Sequence, residues 1–141
     1  MSIRQSAEIL TFRAPRRGLL EITPEIVAWV ADQAVDTGLL TLFCRHTSAS
    51  LIIQENAASE VRADLEDFFA GLAPESAGRY RHDDEGADDM PAHIRAALTG
   101  VQLSMPVIGG RPALGTWQGV YLFEHRRRPT IREIACHLLG E

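Results

Sequence analysis

The sequence predicts an α+β fold, a single-domain mixed or antiparallel β-sheet sandwich with helices on one face. Three observations carry that expectation. Segments of strand character outnumber those of helical period, in the order β-α-β-β-α-α-β-β-β. Strands gather at the C-terminal end, where a doubly wound parallel sheet would need an alternating series of helices. The 141 residues fit one domain, spanning 1–141, and suffice to bury a core. Helices on one face would leave the other face of an antiparallel sheet to water or to another subunit.

Residues 6–13, SAEILTFR, form the first predicted strand. Residues 22–38 read as a helix, with Thr23 as N-cap, Pro24 in the first helical position and Gly38 at the stop. Ile26, Val27, Val30, Ala31, Ala34 and Val35 fall on one face of it. LLTLFCRH, residues 39–46, is a strand ending at His46, and SLIIQEN, residues 50–56, is the next after a polar turn. A second helix covers 59–74, capped by Ser59 and ended by Gly71 and Pro74; Val61, Leu65, Phe68, Phe69 and Leu72 are expected to form its buried stripe. A polar loop of about a dozen residues then runs to Asp89, longer than most connections in compact domains. Asp89 is expected as N-cap of a short helix over 90–98. Strands follow over 101–107, 115–125 and 131–139, with IGGRP, residues 108–112, as a turn. Cys44 and Cys136 sit in apolar strands and read as buried free thiols, not a disulfide framework.

Composition narrows the function. The net charge of −5 argues against nucleic acid as partner, since phosphate backbones want a basic face. The basic run Arg126-Arg127-Arg128 is short and reads as a solvated turn with a weaker option of an anion contact. GLLTLFC, residues 38–44, is too short to span a bilayer, so no membrane partner is expected. The N-terminal stretch has no apolar central block of signal-peptide type, and the expected location is cytoplasmic.

Three stretches offer chemistry. YRHDDEGADDMPAHI, residues 80–94, holds two histidines, four aspartates and one glutamate. His82, Glu85, Asp88, Asp89 and His93 supply hard oxygen donors and imidazoles, suited to Mg²⁺ or to Zn²⁺ and similar ions. No H-E-x-x-H or EF-hand spacing is present, and a solvated acidic loop ahead of an Asp-capped helix is the alternative. His93 falls in the first turn of the short helix, where free N–H groups favour an anion. RHTSAS, residues 45–50, places His46 at a strand end as a metal ligand or general acid/base. There Thr47 and Ser48 are candidate donors to phosphate oxygens, and an ordinary polar turn is the alternative. LGTWQG, residues 114–119, sets two glycines around Thr116, Trp117 and Gln118, allowing close ligand approach or a bulge. Trp117 offers a ring for stacking, or fills the core or an interface.

Taken in order, RHTSASLIIQENA, VRADLEDFFAGLAPE, YRHDDEGADDMPAHIRAALTG, GRPALGTWQGVYLFEHR and the terminal LLGE resemble the YjbQ family, also called UPF0047. The resemblance runs from about Leu10 to Glu141, and DDMPAHI and GTWQG are its most specific motifs. It implies a compact α+β domain assembling as a homotrimer, and a secondary thiamine-phosphate synthase activity. That activity joins a hydroxymethylpyrimidine pyrophosphate to a thiazole phosphate and releases pyrophosphate. The family's polar signature falls on His46, Thr47, Ser48, Asn56, His82, Glu85, Asp88, Asp89, His93, Thr116, Trp117, Gln118 and Glu124. On this basis His46, Glu85 and His93 are expected to be catalytic, and His82, His93, Asp88 and Asp89 to hold a divalent metal, Mg²⁺ or Zn²⁺. Thr47, Ser48, Asn56, Thr116, Trp117 and Gln118 are expected to bind a small phosphorylated substrate. Two other classes stay open: a metal-dependent hydrolase of an unknown phosphorylated compound, and a non-catalytic metal- or ligand-binding trimer.

Overall fold

The computed structural model describes residues 2–141. Its strands are β1 (Arg4–Ala14), β2 (Gly18–Glu21), β3 (Gly38–Cys44), β4 (Ala49–Glu55), β5 (Gln102–Ile108), β6 (Arg111–Pro112), β7 (Gln118–Glu124) and β8 (Thr130–Gly140). The helices are α1 (Thr23–Asp32), α2 (Ser59–Leu72) and α3 (Asp89–Thr99). Strands β1-β8-β3-β5-β6 make a five-stranded sheet, and β2-β7-β4 make a three-stranded one. Every pairing is antiparallel. The class is α+β, and no helix is long and apolar enough to cross a membrane.

The core lies between the sheets, and strand alternation builds it. Leu40, Leu42 and Cys44 of β3 point inward, beside Ile134, Cys136 and Leu138 of β8 and Met105 and Val107 of β5. Val120 and Leu122 of β7 and Ala49 and Leu51 of β4 face them from the smaller sheet. Both cysteines are buried free thiols. Helix α1 sends Ile26, Trp29 and Val30 into this space. The outward side of the small sheet carries a second cluster, in which Tyr121 and Phe123 of β7 meet Leu65 and Phe69 of α2. Helix α3 runs along β4 on that side, where Thr99 reaches Ser50. Thus α2 and α3 share one face, while α1 packs into the interior.

Among the described residues no helix covers the outer face of the large sheet. Ile9, Leu39, Phe43 and Leu139 stand on it at 43–48% exposure. The strand register puts Ile9 opposite Ala135, and Phe43 opposite the same residue from the other side. Thr41 and His137 stand between that row and the Leu39–Leu139 pair, so the face is apolar in part, and exposed apolar side chains grouped on a bare sheet are the sort of surface that a partner covers.

Several predicted boundaries move. Helix α1 ends at Asp32, not Gly38, because Ala34 turns into the left-handed region at φ 54°. Val35 therefore reaches the core from outside the helix. Thr23 does not cap. Its Oγ1 accepts the Val120 N–H and donates to Glu21 Oε2, both at 2.8 Å, tying α1 to β7 and β2. Ser59 makes no cap bond either; the Glu55 carboxylate accepts the Ala58 N–H just ahead of α2. The long strand expected over 115–125 begins only at Gln118, and β2 and the two-residue β6 were not anticipated.

Candidate functional site

The acidic loop folds back on α3 so that four side chains converge. His82, Glu85, Asp89 and His93 each offer a ligand atom, all within 4.8 Å of one another. Asp89 stands at the centre. Its Oδ2 lies 2.7 Å from His82 Nε2 and 3.1 Å from His93 Nε2. Glu85 Oε2 approaches His82 Nε2 at 3.0 Å. Local geometry explains the gathering. Asp89 and His93 are four apart on α3 and share one helix face. Gly86, at φ +104°, supplies a loop turn that side-chain-bearing residues rarely adopt. Tyr80 anchors the start of the loop by donating to Pro74 O at 2.8 Å.

A second layer fixes the first. Arg126 Nη1 donates to Asp89 Oδ1 at 2.6 Å, so one carboxylate oxygen is held while the other faces the histidines. Arg126 Nε and the Arg127 N–H both donate to Asp88 Oδ2, at 3.1 and 2.9 Å. His93 Nδ1 donates to Thr47 O at 2.9 Å, which leaves Nε2 directed at Asp89. A carbonyl holding one ring nitrogen and an arginine holding one carboxylate oxygen are typical supports for ligating groups. Burial alone would raise the Asp89 carboxyl. The hydrogen bond from His82 and the charges of His93 and Arg126 outweigh it and hold Asp89 below its ordinary range. The His82 imidazole is raised, chiefly by its hydrogen bond to Asp89. A proton or a cation must sit between each Nε2 and the shared oxygen. A cavity of about 410 Å³ opens beside His82, lined also by Tyr80, Gly86 and Met90.

The remaining expected residues lie outside this cluster. Asp88 is turned away and engaged by Arg126 and Arg127. His46 points to the edge of β8, where its Nε2 accepts the Glu133 N–H at 2.7 Å and so extends the β3–β8 pairing by one bond. Its pKa is lowered by burial and by Arg132. Thr47 contributes its carbonyl, not its hydroxyl, to His93. Ser48 Oγ accepts from Arg132 Nη2 at 2.9 Å, and Arg132 forms a buried ion pair with Glu124. Asn56, Thr116, Trp117 and Gln118 gather at the other end of the small sheet, since Glu55 pairs with Gln118 and Ala49 with Glu124. Seven residues of β4 separate the two ends, about 20 Å at the usual strand rise. Asn56 Nδ2 donates to Glu21 Oε2 at 3.1 Å there, and Trp117 is 64% exposed. Arg126 is the residue of this cluster's support that sequence reasoning passed over; its only signal was its place in the basic run.

Known proteins give the same outline. The family model described as UPF0047 protein YjbQ-like matches residues 8–141. The UPF0047 protein sll1880 of Synechocystis is 54% identical over 140 residues, covering 99% of this chain and 95% of that one. The UPF0047 protein YjbQ of Escherichia coli O157:H7 is 47% identical, covering 94% of this chain and 96% of that one. Among solved structures, a conserved hypothetical protein from Thermus thermophilus aligns with a TM-score of 0.80 at 36% identity, covering 92% of this chain and 97% of that one. A YbjQ-like protein of unknown function from Sulfolobus solfataricus aligns with a TM-score of 0.90 over 99% of this chain and 100% of that one; at 21% identity it speaks for the fold alone. With one model covering nearly the whole chain and relatives this similar over their full length, the chain belongs to the YjbQ-like UPF0047 family.

Proposed function

We propose that the chain is a metal-dependent transferase on small phosphorylated substrates, with thiamine-phosphate synthase activity as a secondary reaction. The observation that carries the reading is the convergence of His82, Glu85, Asp89 and His93 on one point. Two imidazoles and two carboxylates suit a borderline divalent ion such as Zn²⁺, and the carboxylates also accept Mg²⁺. When bound, such an ion would neutralise charge on a departing pyrophosphate. Arg126 orients Asp89, the Thr47 carbonyl sets the His93 ring, and Glu85, the most exposed of the four, has the freedom to exchange between ion and substrate. Space for a substrate lies in the adjoining cavity beside Tyr80 and Met90. Relatives named only as UPF0047 proteins support the family and leave the reaction open, so the synthase step rests on the resemblance.

The reading also takes the assembly to be a homotrimer, supported by the bare apolar face around Ile9 and Phe43. Sedimentation equilibrium giving a monomer mass at micromolar concentration would remove that part. For the reaction, elemental analysis of the purified protein and of His93→Ala comes first, followed by product formation from the pyrimidine pyrophosphate and the thiazole phosphate. Stoichiometric metal that the variant loses, with turnover lost alongside it, is the expected result. Turnover unchanged in folded His93→Ala and Asp89→Ala would defeat the assignment.

A further inference from the structure

A separate cavity of about 290 Å³ lies between the β1–β2 turn and α2, bordered by Arg16, Arg17, Arg95, Phe123 and His125. Arg95 is only 3% exposed. Its Nε donates to Phe69 O at 3.2 Å and its Nη2 to Ala73 O at 2.7 Å, at the C-terminal end of α2. A guanidinium carries five N–H donors, so three are left beyond these two bonds on a side chain that lines the cavity. Among the described residues Arg95 has no carboxylate partner, and such a buried cation calls for an anion.

His125 is 1% exposed, and its tautomer follows from a chain of hydroxyls. Thr99 Oγ1 stands 2.7 Å from Arg95 O and 2.5 Å from Ser50 Oγ, and Ser50 Oγ stands 2.9 Å from His125 Nε2. A carbonyl only accepts, so the single Thr99 proton goes to Arg95 O. Ser50 must then donate to Thr99, and Nε2–H must donate to Ser50. That leaves Nδ1 unprotonated and without a partner among the described residues, on a ring that borders the cavity. Burial, helped by Arg95, Arg132 and Arg17, pushes this imidazole down to about 3, which keeps it neutral.

We infer that this cavity binds a protonated phosphate group, free or as the end of a small monoester, through Arg95 and Arg17 with a P–OH donated to His125 Nδ1. A carboxylate would satisfy the arginines and leave Nδ1 without a donor; a phosphate monoanion provides both kinds of contact. The volume is at the small end for ligand pockets and suits one such group with a short substituent. The rim carboxylates do not cancel the site. Glu66 is taken by Arg16 at 3.2 Å. Arg17 pairs with Glu75, which does not line the cavity, through Nη1 alone at 3.0 Å, and Glu75 is shared with Arg127, so Arg17 Nε and Nη2 are left for a ligand. Asp67 is the acid left facing it. None of the four clustered metal-type ligands borders this cavity, so the inference stands independently of the proposed function.

The test is an NMR titration of the full-length protein with inorganic phosphate, with acetate at matched ionic strength as comparator. Saturable shifts at Gly18 and at the Arg95 and His125 side chains, His125 Nδ1 included, are expected, with acetate much weaker. Arg17→Gln should weaken phosphate about tenfold or more, the value of one charge-assisted bond. Ala70→Leu, which fills the cavity from α2, should abolish it; if that variant does not fold, Arg17→Gln decides. No saturation, shifts confined to His82 and His93, or an unaltered Arg17→Gln titration would overturn the site. Acetate binding as tightly as phosphate would overturn the assignment of the ligand.

Discussion

Replacing Asp89 with Asn changes charge while conserving shape, and it should separate metal binding from folding. Asp89 is 3% exposed and meets Arg126 Nη1 at 2.6 Å, His82 Nε2 at 2.7 Å and His93 Nε2 at 3.1 Å. Breaking a buried ion pair costs about 3–5 kcal/mol when the partner is left alone. Here Arg126 keeps Asp88 through its Nε, so the low end, about 3 kcal/mol, applies. For a chain of this length that lowers the melting temperature by on the order of 10 °C. The effect on metal should be larger. Loss of a supporting residue costs about 10–100-fold in affinity, and Asp89 is the shared central anion, so the loss should exceed about 100-fold. Calorimetric melts with and without Zn²⁺, paired with equilibrium dialysis, measure both. At about 100 times its Kd, metal should add about 2.7 kcal/mol to the wild type and almost nothing to the variant. Asp88→Asn is the control, since its oxygens serve Arg126 and Arg127: it should lose stability and keep the metal. A folded Asp89→Asn that takes up zinc as tightly as wild type would refute the reasoning.

Three more outcomes follow from the same contacts. His82 is raised by Asp89, so their contact stabilises the metal-free protein fully below the ordinary histidine value of about 6.5 and is lost as pH rises through the raised value. Metal must displace that proton, so its affinity should climb with pH across the same window; calorimetry in buffers of different ionisation enthalpy should detect the released proton, and a flat profile would contradict it. Glu124→Gln should cost about 3–5 kcal/mol in urea unfolding with metal content unchanged, because the fully buried carboxylate faces Arg132 and accepts the N–H groups of His125 and Arg126, both at 3.0 Å. Gly140→Ala should cost about 2 kcal/mol or more, since its Cβ would stand 2.2 Å from Thr37 O, which is backbone and cannot swing aside; an unchanged thermal midpoint would show that the β3–β8 edge gives way freely.

How far the sequence could be read depended on the range over which each signal acts. Alternation in LLTLFC and helical spacing in α2 are local, and both elements appear where expected, but the stripe expected to be buried is not: Leu65 and Phe69 pack on the small sheet while Phe68 and Leu72 stay 62% and 51% exposed. Thr23 looked like a cap because its type and position suit one. Its hydroxyl is instead taken by Val120, 97 residues away, a partner that no local pattern encodes. The same holds at the site. Asp89 and His93 are four apart on a helix, so their shared face follows from spacing alone. Arg126 lies 37 residues beyond Asp89, and in isolation an arginine run reads as wet surface. His46 shows the converse. Strand ends favour functional side chains, yet which way such a side chain turns depends on the neighbouring edge, and here Glu133 presents an unpaired N–H that the imidazole satisfies. Trp117 and Gln118 adjoin the cluster in motif order but stand about 20 Å from it along the sheet, because β4 and β7 run the full length between them. A chain whose polar signature divides between two ends of one sheet, with a bare apolar face on the other sheet, is one in which copies must meet if both ends serve a single reaction. Measuring turnover against protein concentration therefore tests the assembly and the division of the site together.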